Sequence, residues 1–184
     1  MLHIKVPATS ANMGPGFDCA GIALQLYNEI WVETIPSGIE ISSKTNENIP
    51  KDESNLIYST IRDFYEAENI PMPGIRLIQD DHIPMTRGLG SSAACIVGGL
   101  IAANILSGKN YSKEELAQKA AKLEGHPDNS NPAIFGDMII SAMYSEGMKY
   151  VKLNVPKNIL FAVMIPEFTL STKKARAVLP DSYT

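Results

Sequence analysis

The chain has 184 residues, enough for one domain, or one domain and part of a second, with a core of its own. Lys and Arg number 16 against 20 Asp and Glu, a net charge of -4, so no basic field gathers nucleic acid or an anionic membrane, and neither is expected as a partner. Hydrophobic residues at 45% and charged residues at 20% exclude a disordered or collagen-like chain.

The first element is a short strand at His3-Ile4-Lys5-Val6-Pro7, and the N-terminus lacks the basic-then-apolar layout of a secretory leader, so a cytoplasmic location is expected. Residues 20–35 hold enough Ile, Leu, Val and Tyr, with Trp31, for one or two more strands. Ser37-Gly38 turns the chain into a strand at Ile39-Glu40-Ile41, and residues 45–54, polar and carrying Pro50, form a surface loop. Ile57, Ile61, Phe64 and Tyr65 recur at helical spacing and predict an amphipathic helix over 55–68, closed by Pro71 and Pro73. A strand at 74–78 and a loop over 80–90 follow. Residues 91–106 are apolar on nearly every face, which predicts a buried helix, and they fall short of the roughly 20 residues needed to cross a bilayer. Ser112-Lys113-Glu114-Glu115 fits a capping box opening a helix with Leu116, Ala120 and Leu123 as its inner stripe, ending near Gly125. Residues 128–132 read as a turn, 138–144, 149–153 and 160–165 as strands, and 172–178 as a last helix. Cys19 and Cys95 are too few and too far apart for a zinc site and read as small core thiols. The element order is that of a mixed α+β fold.

Three stretches carry candidate chemistry. Pro84-Met85-Thr86-Arg87-Gly88-Leu89-Gly90-Ser91-Ser92-Ala93-Ala94 runs straight into the buried helix. Glycines expose consecutive N–H groups, and a helix N-terminus carries about half a positive charge, a combination suited to phosphate oxygens. Taken alone, Gly88 to Ser91 is also an ordinary loop with an N-cap serine. No Gly-Lys-Ser/Thr triplet exists, which excludes a Walker A loop. Gly88-x-Gly90-x-x-Ala93 formally meets the dinucleotide pattern, but no strand leads directly into it and the acidic residues that follow open a helix. Asn12 and Asp18 sit in a Gly/Pro loop where both residue types commonly form turns. In Glu124-Gly125-His126-Pro127-Asp128-Asn129, one His beside one Asp is not a metal site, and a capped turn is the plain reading.

These stretches, the first of them Val6-Pro7-Ala8-Thr9-Ser10-Ala11-Asn12-Met13-Gly14-Pro15-Gly16-Phe17-Asp18, resemble in content, order and spacing the motifs of the GHMP small-molecule kinases, among them those acting on homoserine. A weaker fourth match is Ser171-Thr172-Lys173-Lys174-Ala175-Arg176. The resemblance implies an α+β domain of the GHMP-kinase N-terminal, ribosomal-protein-like β/α kind over residues 1–165. Residues 166–184 would begin a C-terminal ferredoxin-like domain whose remainder is missing. It also implies transfer of the γ-phosphate of ATP, with Mg2+, to the side-chain hydroxyl of L-homoserine, giving O-phospho-L-homoserine for threonine biosynthesis.

By the same resemblance, the eleven residues from Pro84 to Ala94 bind ATP, and Asn12, Asp18 and Arg176 bind substrate. Asn129 and Thr172 act at the reacting centre, while Ser91, Ser92 and Glu124 hold Mg2+. Asn129 stands where other members carry aspartate, and an amide cannot take a proton, so orientation of the hydroxyl is its implied role. Some members place the metal-binding glutamate two turns earlier, where this chain has Gln118. Ser130, Asn131 and Asp137 depart from the small apolar residues and glycine usual there. Two other readings stand beside this one: a non-catalytic nucleotide- or amino-acid-binding module, and a kinase of the same fold for another small alcohol. Lacking the second domain, the chain is expected to fold, to turn over homoserine poorly, and to associate, as a homodimer, through the apolar surface left open.

Overall fold

The longest strand, β2 (Ala20–Ile35), is 16 residues of largely β-branched, aromatic and aliphatic sequence, about 50 Å at ~3.3 Å per residue, and it organises the sheet. In the computed structural model, which describes residues 1–165, 167–168 and 177–178, β1 (Leu2–Ala11) runs antiparallel along one edge of β2. On the other edge β2 pairs first with β5 (Met138–Tyr144), through Ala20 to Ile22, and then with β4 (Gly74–Asp80), through Glu29 to Ile35. β3 (Ile39–Ser43) lies parallel to β4, and β6 (Gly147–Leu153) antiparallel to β5. A parallel pair needs a crossover, and α1 (Leu56–Ala67) provides it between β3 and β4.

Asn55 caps α1 by accepting from the N–H groups of Ile57 and Tyr58, and Glu68 closes it, so the helical spacing located both ends. α2 (Ser91–Leu106) packs against β1 and β2 and against α1, which is why its sequence is apolar all round. α3 (Lys113–Glu124) starts with the capping box at Ser112 and Glu115. The core forms where Ile4, Val6, Ile30, Val32, Ile75 and Leu77 meet Ile57, Ile61, Val97 and Leu100. Among the described residues no helix is long and apolar enough to cross a membrane.

Four expectations change. The N-terminal strand extends to Ala11, because β2 is long enough to pair with all of it. Residues 128–132 enter a short helix, α4 (Ser130–Phe135), in which Pro132 is tolerated because a first-turn N–H would be unbonded anyway. Leu123 is 51% exposed, since the buried stripe of α3 is Leu116, Ala117, Ala120 and Ala121, and at 100° per residue Leu123 falls off its edge. Residues 160–165 form no strand: the apolar run is there, but it finds no edge to pair with among the described residues, and Leu160 and Met164 are each 94% exposed. Of the helix expected over 172–178, only 177–178 fall within the described residues.

Candidate active site

An irregularity in the β1–β2 ladder sets the site up. Pro7 has no N–H to give a ladder, and the register shifts between Pro7 and Thr9, where Leu24, Gln25 and Leu26 of β2 stand opposite Ala8 alone; Ala8 and Thr9 are both 0% exposed. The Thr9 N–H donates to the Leu89 carbonyl at 3.1 Å, which ties the end of β1 to the loop before α2. The Thr9 hydroxyl donates to Asn129 Oδ1 at 2.8 Å, which ties it to the start of α4.

Gly90 lies against this bond. It is the N-cap of α2 in left-handed backbone (φ 68), makes no side-chain cap, and leaves Ser91 at the first helical position instead of the cap. A Cβ at Gly90 would stand 2.0 Å from Thr9 Oγ1 and 3.0 Å from Asn129 Oδ1, so both the backbone angle and the space demand glycine. The first α2 hydrogen bond is from Ala94 N–H to Gly90, leaving the N–H groups of Ser91, Ser92 and Ala93 without intrahelical acceptors. Of the eleven loop residues, Leu89, Ala93 and Ala94 are buried and can offer only backbone. Met85, Thr86, Gly88 and Ser92 are exposed, and Pro84, Arg87 and Ser91 half-buried. One Arg87 terminal nitrogen donates to the Glu167 carbonyl at 2.6 Å, while Nη1 is enclosed with no partner among the described residues. Beside the loop a cleft of about 330 Å³ opens between Ser10, Met13, Ile22 and Phe161.

Asp128, a turn former by its sequence context, is the hub. It is 0% exposed. Its Oδ1 pairs with His126 Nδ1 at 2.5 Å and accepts from Asn129 Nδ2 at 3.3 Å, and its Oδ2 accepts from Asn12 Nδ2 at 3.2 Å. Its backbone carbonyl rests on β2 at Gly21, where a Cβ would come within 1.8 Å. The hydrogen bond to Asp128 raises the pKa of His126 above the usual imidazole value. Asn12 sits in left-handed backbone (φ 59) and accepts the Asp18 N–H at 2.9 Å, so Asn12, Asp18 and Asn129 belong to one cluster.

Glu124 ends α3 just before Gly125 and is no solvated helix end. Its Oε2 is enclosed with no partner among the described residues. Burial pushes its carboxyl up to about 7, with His126 opposing and Asp128 adding to the rise. An enclosed, unpaired carboxylate oxygen fits a hard cation's ligand. Gln118 is engaged elsewhere: its amide brackets the Met148 main chain at 3.0 and 2.9 Å and holds β6 onto α3. Among the described residues no three His, Cys, Asp or Glu side chains gather as a metal cluster.

Ser130 and Asn131 are 0% exposed inside α4; Asn131 Nδ2 reaches Met148 Sδ at 3.2 Å, while Ser130 Oγ and Asn131 Oδ1 have no partner among the described residues. Asp137 keeps a glycine-like φ of 58 and pairs with Lys152 at 2.9 Å. Thr172 and Arg176 lie outside the described residues. Cys19 and Cys95 are free thiols, and burial pushes Cys95 up to about 12, so it is inert.

The family pattern for the GHMP kinases N terminal domain matches residues 55–137, which run from the cap of α1 through Gly90, Glu124 and Asn129 to Asp137. The chain carries a GHMP kinase N-terminal domain. A homoserine kinase of Caldicellulosiruptor saccharolyticus is 49% identical over 181 residues, 98% of this chain and 59% of that protein. A homoserine kinase of Clostridium botulinum is 46% identical over 182 residues, 99% of this chain and 61% of that protein. The crystal structure of a homoserine kinase from Cytophaga hutchinsonii superposes with a TM-score of 0.79 at 30% identity, covering 99% of this chain and 61% of that one. The chain thus spans 59–61% of the length of these relatives.

Proposed function

We propose that this GHMP kinase domain serves ATP-dependent phosphorylation of the L-homoserine side-chain hydroxyl. The observation that carries the reading is the contact of Gly90 with the Thr9–Asn129 pair, which sets a phosphate-suited helix start against the residues of the acceptor motif. The relatives at 46–49% identity, named homoserine kinases, supply the acceptor.

The ATP phosphates meet the open N–H groups at the start of α2, where the helix dipole favours negative charge. The loop from Pro84 to Ala94 closes around them. Glu124, with a hydroxyl of Ser91 or Ser92, holds Mg2+, which offsets the charge of the transferring phosphate. Asp18 and Asn12 take the amino end of homoserine, Arg176 its carboxylate, and Thr172 contacts the reacting centre. Asn129 cannot act as a base, and a loose phosphoryl-transfer transition state needs positioning more than proton abstraction.

The test is calorimetric titration with ATP, with and without Mg2+, beside homoserine-dependent ADP release over a panel of small alcohols. Mg2+ should tighten ATP binding in the native protein, and Glu124→Gln should erase most of that gain while leaving metal-free binding in place. Equal binding with and without Mg2+ would remove Glu124 from the metal site. Turnover favouring mevalonate or a sugar would overturn the acceptor.

A further inference from the structure

We infer that Thr9 and Asp128 are positioning residues that lock the amides of Asn129 and Asn12 in one orientation each, and so fix the polarity with which the site meets its acceptor. What the amides meet rests on the phosphoryl-transfer reading above; how they are held rests on hydrogen bonds alone.

An amide side chain presents donors at one end and an acceptor at the other, and only partners of fixed polarity decide which end points where. A threonine hydroxyl has no fixed polarity, so Thr9 alone would accept either end of Asn129. The Asp128 carboxylate can only accept when ionised. It therefore selects Asn129 Nδ2 at 3.3 Å and leaves Oδ1 to the Thr9 hydroxyl at 2.8 Å. A flip would set Oδ1 against a carboxylate that is 0% exposed, where no water softens the repulsion. Asn12 is fixed twice: Nδ2 donates to Asp128 Oδ2 at 3.2 Å, and Oδ1 accepts the Asp18 main-chain N–H, which can only donate, at 2.9 Å.

Each amide keeps one N–H beyond these bonds, and the one on Asn129 belongs to the group that borders Gly90. The register shift between β1 and β2 beside Pro7 puts the Thr9 hydroxyl in place, and the approach of Asp128 to Gly21 anchors the hub on β2. Reacting groups misplaced by about 1 Å can lose on the order of a hundredfold in rate, so the lock matters to turnover more than to affinity.

The test compares Thr9→Val, which keeps the shape and removes the donor, with Thr9→Ser, which keeps the donor, and adds Asp128→Asn. Side-chain amide hydrogen exchange of Asn12 and Asn129, followed by nitrogen-15 spectra, needs no substrate. Thr9→Val should speed exchange at Asn129 about tenfold or more and leave Asn12 alone, Asp128→Asn should speed both, and Thr9→Ser neither. In homoserine-dependent turnover Thr9→Val should lower kcat about tenfold to a hundredfold with KM for ATP within about twofold, and Thr9→Ser should stay within about threefold of native. Identical behaviour of the valine and serine variants in both measurements overturns the inference, whether or not Asp128→Asn folds. The expected exchange pattern in a protein that phosphorylates another small alcohol in preference to homoserine upholds the lock and rejects the acceptor assignment instead.

Discussion

Replacing Gly90 with alanine adds one carbon where the fold has no room for it. The left-handed backbone at φ 68 costs a residue with a Cβ about 1–2 kcal/mol. The new carbon would begin 2.0 Å from Thr9 Oγ1, and Thr9 is 0% exposed, so its hydroxyl has no free space to turn into. Overpacking of that kind costs about 1–3 kcal/mol and breaks the Thr9–Asn129 bond. The two together come to roughly 2–5 kcal/mol, a large share of the ~5–15 kcal/mol that holds a typical domain folded. The two parts separate in a double-mutant cycle with Thr9→Ala. Without Oγ1 the nearest atoms are Asn129 Oδ1 at 3.0 Å, freed from its bond to Thr9, and Thr9 Cβ at 3.3 Å, so Gly90→Ala should then cost little beyond the backbone strain of about 1–2 kcal/mol. Urea unfolding of the four proteins gives the coupling directly, and it should be about 1–3 kcal/mol in favour of the double variant. Costs that simply add, within about 0.5 kcal/mol, would mean that Thr9 does not confine Gly90, and the contact joining the phosphate loop to Asn129 would be lost with it.

Glu68, at the end of α1, has its carboxyl held down to about 2 by Lys109, Tyr111 and Lys119, at 2.9, 2.7 and 3.0 Å. Its folded value lies below the ordinary 4.5, so the stability it contributes is complete above pH 4.5 and is lost as the pH falls from there towards 2. Glu68→Gln should lower Tm at neutral pH and flatten the acid limb of a Tm-against-pH curve, and parallel acid limbs for the two proteins would refute this. Gln118→Ala removes both bonds to the Met148 main chain and should destabilise by roughly 1–3 kcal/mol, with amide exchange rising first in β6. Exchange rising uniformly along the chain would mean that Gln118 does not pin that edge.

The elements whose local signals agree with their surroundings were legible from the order of residues. α1 shows its spacing and its Asn55 cap, α3 its capping box, and α2 its apolar surface on every face, because each depends on interactions within a turn or two of the chain. The loop at Gly88 to Ser92, and the motifs around Asp18 and Asn129, were likewise visible as glycine, hydroxyl and amide patterns. The sequence could not say that residues 160–165, with a good strand pattern, would find no strand to pair with, since pairing is a property of the partner. Nor could it say that the Glu124 side chain would be enclosed at the end of α3 while Gln118 is held by β6. Thr9 and Asp128 looked like an unremarked residue beyond the first strand and a turn former. They became the centre of the site because the β1–β2 ladder runs on past Pro7 with a shifted register and Thr9 is buried there, and because residues 116 to 120 positions apart in the chain came within hydrogen-bond distance. Local preference reads along the chain, whereas burial, and the polarity a buried carboxylate imposes on its neighbours, exist only once distant segments have met.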